Sequence, residues 1–161
     1  MAMTEQLNLA FDDSEIVTNT DDYYTPAWIF EALNLKFDID VASPVGGIHY
    51  IPAQRYFTIY DNGLAQDWAG QKVWMNPPYS KPQPWIDKWL ENGNGIALLP
   101  LVKSKWLNQI WNEADGIALL PSNLKFWRKG KEAGIPIECI LAAVGADNFK
   151  ALKNAGLGSV R

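Results

Sequence analysis

The four residues Asn76-Pro77-Pro78-Tyr79 carry the most specific chemistry in the chain, because they combine hydrogen-bond acceptors with an aromatic ring on a stiff backbone. Two consecutive prolines fix φ and have no N–H, and the second pushes the first out of the helical region. The Pro77 carbonyl is therefore easily left as a free acceptor beside the Asn76 side-chain carbonyl and the Tyr79 ring. This arrangement suits a planar group with an exocyclic amine, such as adenine. An ordinary strand exit with a proline stop is the alternative for these four residues alone.

The tetrad resembles the Asn-Pro-Pro-Tyr motif of S-adenosylmethionine-dependent amino-methyltransferases. The resemblance implies that Asn76 and the Pro77 carbonyl hold the target nitrogen, that Pro78 belongs to the same catalytic corner, and that Tyr79 stacks on the target base. Tyr24-Thr25-Pro26, followed by a helix, similarly resembles the N-terminal cofactor-contacting motif of these enzymes. The alternative is that Thr25 caps the helix, with Pro26 in its first turn.

Parallel strands of an α/β sheet must position these groups, since ligands bind beyond the carboxyl ends of such strands. The runs 37–42 and 72–75 predict two buried strands, and the second ends at the tetrad. Asp40, near the end of the first strand, and Ala42 are candidate cofactor contacts, as is Asn76 at the end of the second strand. Satisfaction by local backbone N–H groups is the alternative for Asp40. Only 29 residues, 43–71, separate the strands, which predicts a compact fold with one incomplete sheet edge.

Two further patterns, Asp61-Asn62-Gly63-Leu64 and Asp67-Trp68, complete a resemblance to the phage-type DNA N6-adenine methyltransferases. The sequence Asp-Val-Ala-Ser-Pro at 40–44 matches the reduced cofactor motif of that family. The resemblance covers residues 21–145 and implies a Rossmann-like methyltransferase fold. It also implies S-adenosylmethionine as cofactor, with transfer of its methyl group to the N6 amine of adenine in DNA.

An acid just before the catalytic strand contacts the cofactor adenine in related enzymes, and Asp61 and Asp67 compete for that role. Turn formation is the alternative for both aspartates. The resemblance also implies that the target adenine is flipped out of duplex DNA, with stacking on Tyr79 offsetting part of the cost.

Apolar periodicity predicts the rest of a compact α/β domain with a mostly parallel sheet and an antiparallel last strand. Strands are expected at 56–60, 95–102, 116–121 and 137–145, and helices at 26–34, 85–90, 106–111 and in the segment 146–161. The two Gly-Ile-Ala-Leu-Leu-Pro repeats, at 95–100 and 116–121, predict adjacent parallel strands that exit at the same sheet edge as Asn76. Pro82 and Pro84 predict extended backbone.

Positive charge is modest, although it clusters where DNA contact is expected. The net charge is −4, but the first 22 residues carry six of the 18 acids and no base. The segment 124–134, predicted as a loop after a strand exit, is basic and aromatic; a solvated loop is its alternative. The candidate DNA-binding residues, taken for phosphate and base contacts, are Ser80, Lys81, Lys103, Lys105, Lys125, Trp127, Arg128 and Lys129.

With 161 residues, the composition predicts one domain, 21–161, after a flexible acidic lead-in, 1–20. The single Cys139 excludes an internal disulfide, and the lone His49 argues against a metal site. With no long apolar run, no membrane partner is expected, and the predicted location is the cytoplasm, that of the host if the chain is phage-encoded.

Rival functions are methylation of RNA or of a protein glutamine, and a catalytically inactive cofactor- or DNA-binding module. The few glycines after Asp40 favour the inactive module. Target specificity must come from loops or from a homodimer partner.

Overall fold

The computed structural model describes residues 24–122, 125–128, 131–134 and 138–161, and a six-stranded sheet forms its centre. The described helices are α1 (Ala27–Leu33), α2 (Gln83–Asn92), α3 (Lys105–Glu113) and α4 (Ala146–Asn154). The described strands are β1 (Phe37–Asp40), β2 (Ala53–Tyr56), β3 (Val73–Met75), β4 (Gly95–Pro100), β5 (Gly116–Leu119), β6 (Lys125–Arg128), β7 (Lys131–Gly134) and β8 (Cys139–Val144).

The strand order of the central sheet is β2-β1-β3-β4-β8-β5. The pairs β1–β2, β1–β3 and β3–β4 are parallel, whereas β8 runs antiparallel to both of its neighbours. This arrangement confirms the predicted Rossmann-like α/β fold with an antiparallel last strand. The prediction that the two repeats form adjacent strands is wrong, because β8 lies between β4 and β5. Both repeats nevertheless run in the direction of β3, so they end at the edge where Asn76 lies.

Helices cover both faces of the sheet, and the alternation of side chains along the strands supplies a core on each side. One core contains Trp68 and Trp106 together with the inward face of α2, where Trp85 and Trp89 are buried. The other packs α1 and α4 against the opposite side of the strands. Much of the high tryptophan content is therefore core filling, since these side chains are shielded from solvent.

Two local predictions are wrong for identifiable reasons. The strand expected at 56–60 lies at Ala53–Tyr56 instead. β1 ends at Asp40, whose partner is Tyr56, so the residues after Tyr56 have no strand with which to continue the ladder. Pro84 lies in the first turn of α2, and Pro82, the N-cap residue of that helix, has helical dihedral angles (φ −80°, ψ −20°), so neither proline is in extended backbone. A missing N–H costs nothing there, because the first N–H groups of a helix have no internal partner.

The connections at 41–52 and 57–72 contain no α-helix, only a 3₁₀ turn at Gly63–Ala65. This agrees with the compactness expected from the short spacing between the first and the catalytic strand. In the described residues, β2 forms one edge of the sheet with no strand outside it. At the other edge, a bridge between Ala118 and Val160 lays the C-terminal segment along β5.

The basic segment predicted as a loop forms a separate two-stranded antiparallel ribbon, β6–β7. Backbone pairing from Lys125–Gly134 to Arg128–Lys131 replaces the expected loop. Lys129 and the side chains of Trp127 and Arg128 lie outside what the structure describes, as does the expected lead-in at 1–20.

Candidate functional site

The tetrad lies where it was predicted, immediately after β3 at the carboxyl edge of the sheet. Asn76, Pro77 and Pro78 are buried, and Tyr79 is partly buried. β3 places these residues between the ends of its parallel neighbours, β1 and β4. This is the edge of an α/β sheet at which ligands bind.

The Asn76 side chain is held by one hydrogen bond and leaves one acceptor unused. Its Nδ2 donates to Thr25 Oγ1 over 3.1 Å, across 51 residues of sequence. Its Oδ1 is buried and accepts no hydrogen bond from the described residues. An unsatisfied buried acceptor costs about 1–3 kcal/mol. A bound N–H donor would remove that cost, so the arrangement fits an amine ligand at Oδ1.

Thr25 therefore has a different role from the capping alternative. Helix α1 begins at Ala27 with Pro26 as its N-cap residue, and no side chain caps it. The Thr25 hydroxyl turns instead to Asn76, and Thr25 is almost fully buried. Tyr24 and Pro26 flank this contact, so the Tyr-Thr-Pro segment and the tetrad meet at one point.

Tyr50 is a residue of this site that the sequence analysis missed. Its hydroxyl donates to the backbone carbonyl of Thr25 over 2.6 Å. Its ring packs near Phe30 of α1, with the ring centroids 6.2 Å apart. Burial raises the pKa of Tyr50 from 10.0 to about 12, so the hydroxyl stays a hydrogen-bond donor well into alkaline pH. No sequence signal identifies it, because the irregular segment that carries it has no motif.

Asp40 is a buried carboxyl at the end of β1. Its Oδ1 accepts from the Ala42 backbone N–H at 3.2 Å, which is the local satisfaction foreseen as an alternative. Burial raises its pKa from the ordinary 3.8 to about 7, although the hydrogen bonds from Ala42 and Ser43 act in the opposite direction. A group that titrates near neutrality beside a ligand edge is a candidate for binding.

Two cavities flank the end of β1. The apolar cavity, about 280 Å³, is lined by residues that include Val41, Ala42, Ile59, Asn62, Pro78 and Trp85. The Asp40 cavity, about 180 Å³, is lined by residues that include Asp40, Ser43, Gly47, His49 and Tyr56. Together they offer an apolar compartment at Pro78 of the tetrad and a more polar one beside the buried carboxyl.

Gly63 allows one wall of the apolar cavity to form. A Cβ at this position would lie 2.1 Å from the Val41 carbonyl oxygen and 3.2 Å from the Trp85 ring. Only glycine lets the backbone approach so closely. The Asp-x-Gly-Leu pattern thus has a packing reason, since Gly63 seats the loop from Thr58 against the end of β1.

The two candidate aspartates before the catalytic strand are not equivalent in position. The Asp61 carboxylate accepts from Thr58, at 2.7 Å from the backbone N and 3.0 Å from Oγ1, and so shapes a loop that lines the apolar cavity. The Asp67 carboxylate accepts from Ala69 N at 2.9 Å. Asp67 instead lines a separate cavity together with the last turn of α2. That end of α2 precedes the start of β4, whereas the tetrad lies at the edge where β4 ends. The structure therefore brings Asp61, but not Asp67, towards the tetrad.

Tyr79 is anchored through its hydroxyl, which lies 3.5 Å from the Leu98 carbonyl oxygen of β4. The hydroxyl also forms a hydrogen bond with the buried thiol of Cys139, whose pKa burial raises to about 12. These contacts hold the ring at the edge of the sheet, where it is partly exposed. The hydroxyl thus faces the protein, which is consistent with the ring being the part that meets a ligand.

The exposed candidate DNA contacts share this edge. Ser80 and Lys81 follow the tetrad, Lys103 and Lys105 follow β4, and Lys125 begins the ribbon. All five residues are exposed. Leu101 and Val102, exposed beside these lysines, are apolar surface at the same edge.

Two other kinds of site concern only the described parts of the chain. There, no group of three or more His, Cys, Asp or Glu side chains is arranged to hold a metal ion. No helix in those parts is long and apolar enough to cross a membrane.

A family model described as DNA N-6-adenine-methyltransferase (Dam) matches residues 13–148. The chain is also similar to the DNA N-6-adenine-methyltransferase of Haemophilus phage HP1 (strain HP1c1), with 33% identity over 101 residues, 56% of this chain and 57% of that protein. With the DNA N-6-adenine-methyltransferase of Escherichia phage T1 it shares 28% identity over 165 residues, 89% of this chain and 64% of that protein. The chain thus spans less than two thirds of the length of these relatives.

Proposed function

From the premise that the chain belongs to the DNA N-6-adenine-methyltransferase (Dam) family, we propose that it transfers a methyl group from S-adenosylmethionine to the N6 amine of adenine in DNA. The observation that carries this proposal is the buried Oδ1 of Asn76, which accepts no hydrogen bond within the part of the chain that the structure describes. Asn76 lies at the carboxyl edge of the sheet, two residues before Pro78, which lines the apolar cavity. An acceptor in this position matches the need of a planar amine for a hydrogen-bond partner.

Asn76 and Pro77 would act on the amine directly. The adenine amine is a poor nucleophile because its lone pair is delocalised into the ring. Hydrogen bonds from its two N–H groups to Asn76 Oδ1 and the Pro77 carbonyl favour a pyramidal nitrogen and localise that lone pair. They also stabilise the positive charge that develops on nitrogen in the transition state. The surplus proton then leaves to water.

The residues around the two cavities fit a nucleoside cofactor. The cofactor supplies an electrophilic methyl group on a sulfonium when it is bound. Ala42 and the Asp61 loop border the apolar cavity, which suits an adenine ring. Asp40 offers a buried carboxyl to hydroxyl or amino groups, and the Tyr24-Thr25-Pro26 segment would close the site beside Asn76.

The basic residues at the same edge suit a phosphate backbone. Lys81, Lys103, Lys105 and Lys125 are exposed around the tetrad, without a continuous basic arm. Affinity for DNA should therefore be modest and salt-sensitive. Tyr79 would stack on a flipped adenine, and the ribbon with Trp127, Arg128 and Lys129 would add contacts. A homodimer that supplies specificity stays a prediction.

Methylation with a radiolabelled methyl donor tests the proposal, with plasmid DNA as acceptor and Asn76→Ala as the variant. The variant should lose at least about 100-fold in methyl transfer, since it removes a preorganised acceptor. Its affinity for S-adenosylmethionine by calorimetry should stay within about three-fold. Asn108→Ala, an exposed asparagine of α3, is the matched control and should behave as the wild-type protein.

Retained turnover in Asn76→Ala would refute the assigned role of Asn76, and an inactive wild-type protein would refute the proposed reaction. RNA and glutamine-peptide acceptors in the same assay separate the rival substrates, which no feature of the site favours. A wild-type protein that binds the cofactor without turnover on any acceptor would be the inactive module.

A further inference from the structure

Two chain segments are linked to Asn76 by hydrogen bonds, one of them directly and the other through Thr25. The segment before α1 contributes the Thr25 hydroxyl, and the loop between β1 and β2 contributes Tyr50. We propose that Thr25 and Tyr50 are positioning residues for methyl transfer, which hold the Asn76 amide with its Oδ1 towards the target amine. This inference rests on the proposed function and adds two residues whose task is to orient the acceptor.

The orientation of the amide decides whether Asn76 can act at all. The oxygen and the NH2 group have nearly the same shape, but only Oδ1 accepts a hydrogen bond. A rotated amide would present N–H donors to the N–H donors of the adenine amine. The bond from Asn76 Nδ2 to Thr25 Oγ1, 3.1 Å long and buried, occupies the donor side of the amide. In the opposite orientation both N–H groups of Asn76 would face the site without a partner, and buried N–H groups are rarely left so.

Tyr50 holds the backbone of Thr25 in place. Its hydroxyl donates to the Thr25 carbonyl at 2.6 Å, so it restrains the backbone whose side chain holds Asn76. The Tyr50 ring is itself held between Phe30 and His49, with centroid distances of 6.2 and 5.4 Å. The packed Tyr50 ring therefore restrains the Thr25 backbone, and the Thr25 hydroxyl in turn restrains the Asn76 amide.

Positioning of this kind acts on turnover rather than on cofactor affinity. Preorganised acceptors contribute only if they need not rearrange during the reaction. Loss of one buried hydrogen bond on the acceptor corresponds to about a five- to tenfold loss in rate. Thr25→Val, which keeps the shape and removes the hydroxyl, should therefore lower kcat by about five- to tenfold. Thr25→Ser, which retains the hydroxyl, should stay within about twofold of the wild-type kcat.

The experiment measures kcat at saturating DNA and cofactor, the Kd for S-adenosylmethionine, and hydrogen exchange of the Asn76 side-chain NH2 by NMR. That NMR signal is assigned by its loss in Asn76→Asp. Exchange should quicken in Thr25→Val and in Tyr50→Phe, with kcat lowered in both and the Kd within about threefold. Tyr60→Phe, at the most exposed of the described tyrosines, is the control and should leave kcat, the Kd and the NH2 exchange unchanged.

A wild-type kcat in Thr25→Val, or a loss that appears only in the cofactor Kd, would overturn the inference. Failure of Thr25→Ser to restore turnover would also overturn it, because the hydroxyl would then not be the operative group. An inactive wild-type protein would refute the proposed function instead. The NH2 exchange would in that case still report whether Thr25 and Tyr50 hold Asn76.

Discussion

Replacing Asp40 by asparagine should stabilise the fold at alkaline pH, because the wild-type carboxyl is buried at the end of β1. Burial raises its pKa from 3.8 to about 7. The unfolded chain therefore releases this proton at a lower pH than the folded chain. The free energy of unfolding therefore falls as the pH rises from about 4 to about 7. In this range the unfolded chain has released the Asp40 proton, whereas the folded chain must either keep that proton or bury a charged carboxylate.

The magnitude follows from the two pKa values. A difference of about three pH units amounts to about 4 kcal/mol at pH 8, at 1.36 kcal/mol per unit. At pH 5 the corresponding cost is about 1.7 kcal/mol, because pH 5 is only partway between the unfolded and the folded pKa of Asp40. Asp40→Asn carries no such cost and keeps an oxygen for the Ala42 N–H. Its advantage over the wild-type protein should therefore grow by about 2.5 kcal/mol between the two pH values.

Urea unfolding of both proteins at pH 5 and pH 8 measures this difference. Asp147→Asn, which removes an exposed carboxylate from the first turn of α4, shows whether burial or mere loss of one negative charge is responsible. An advantage of Asp40→Asn that is equal at both pH values would refute the reasoning. So would an equal pH-dependent gain in Asp147→Asn.

Three further predictions concern the ligands. If the Asp40 carboxylate accepts hydrogen bonds from the cofactor, affinity for S-adenosylmethionine should rise about tenfold from pH 6 to pH 8, because ionisation at a pKa of about 7 supplies the binding form; a flat calorimetric profile would exclude this contact. Tyr79→Phe should keep DNA KM within about threefold, whereas Tyr79→Ala should raise it about tenfold through lost stacking; equal losses would assign the role to the hydroxyl. In the double variant Lys103→Ala and Lys105→Ala, the salt dependence of DNA affinity should weaken by about two in the logarithmic slope; an unchanged slope would place these lysines away from the phosphates.

The sequence was sufficient for the parts of the fold that depend on local patterns. Apolar runs predicted β1, β3, β4 and β8, and the helical spacing of Trp85, Ile86 and Trp89 predicted α2 and its buried face. The tetrad predicted the end of β3, because two consecutive prolines cannot donate the backbone hydrogen bonds that would continue a strand pair. These predictions succeeded because each depends on residues within one or two turns of chain.

The failures arose where a distant partner decides the outcome. The end of β2 depends on where β1 ends, and the position of β8 between the two repeats depends on pairing across the whole sheet. Thr25 has the sequence context of a helix cap, yet its hydroxyl bonds a residue 51 positions away. The role of Tyr50 could not be predicted from the sequence, because its hydroxyl donates to a backbone carbonyl, a group that every residue carries.

An unpaired buried polar atom is by itself weak evidence for a ligand site. Asn148 Oδ1 and Trp89 Nε1 are also buried without a hydrogen-bond partner among the described residues, and both belong to helices that pack the core. What distinguishes Asn76 is that its open acceptor coincides with two other features. Asp40, a carboxyl whose burial opposes its ionisation, lies at the end of the adjacent strand, and a cavity opens at Pro78. Two polar groups that are costly in the free protein thus lie at neighbouring strand ends, where a bound cofactor would satisfy Asp40 and a target amine would satisfy Asn76. Folding alone gives no reason for that coincidence, whereas binding of a donor-bearing cofactor and an amine does.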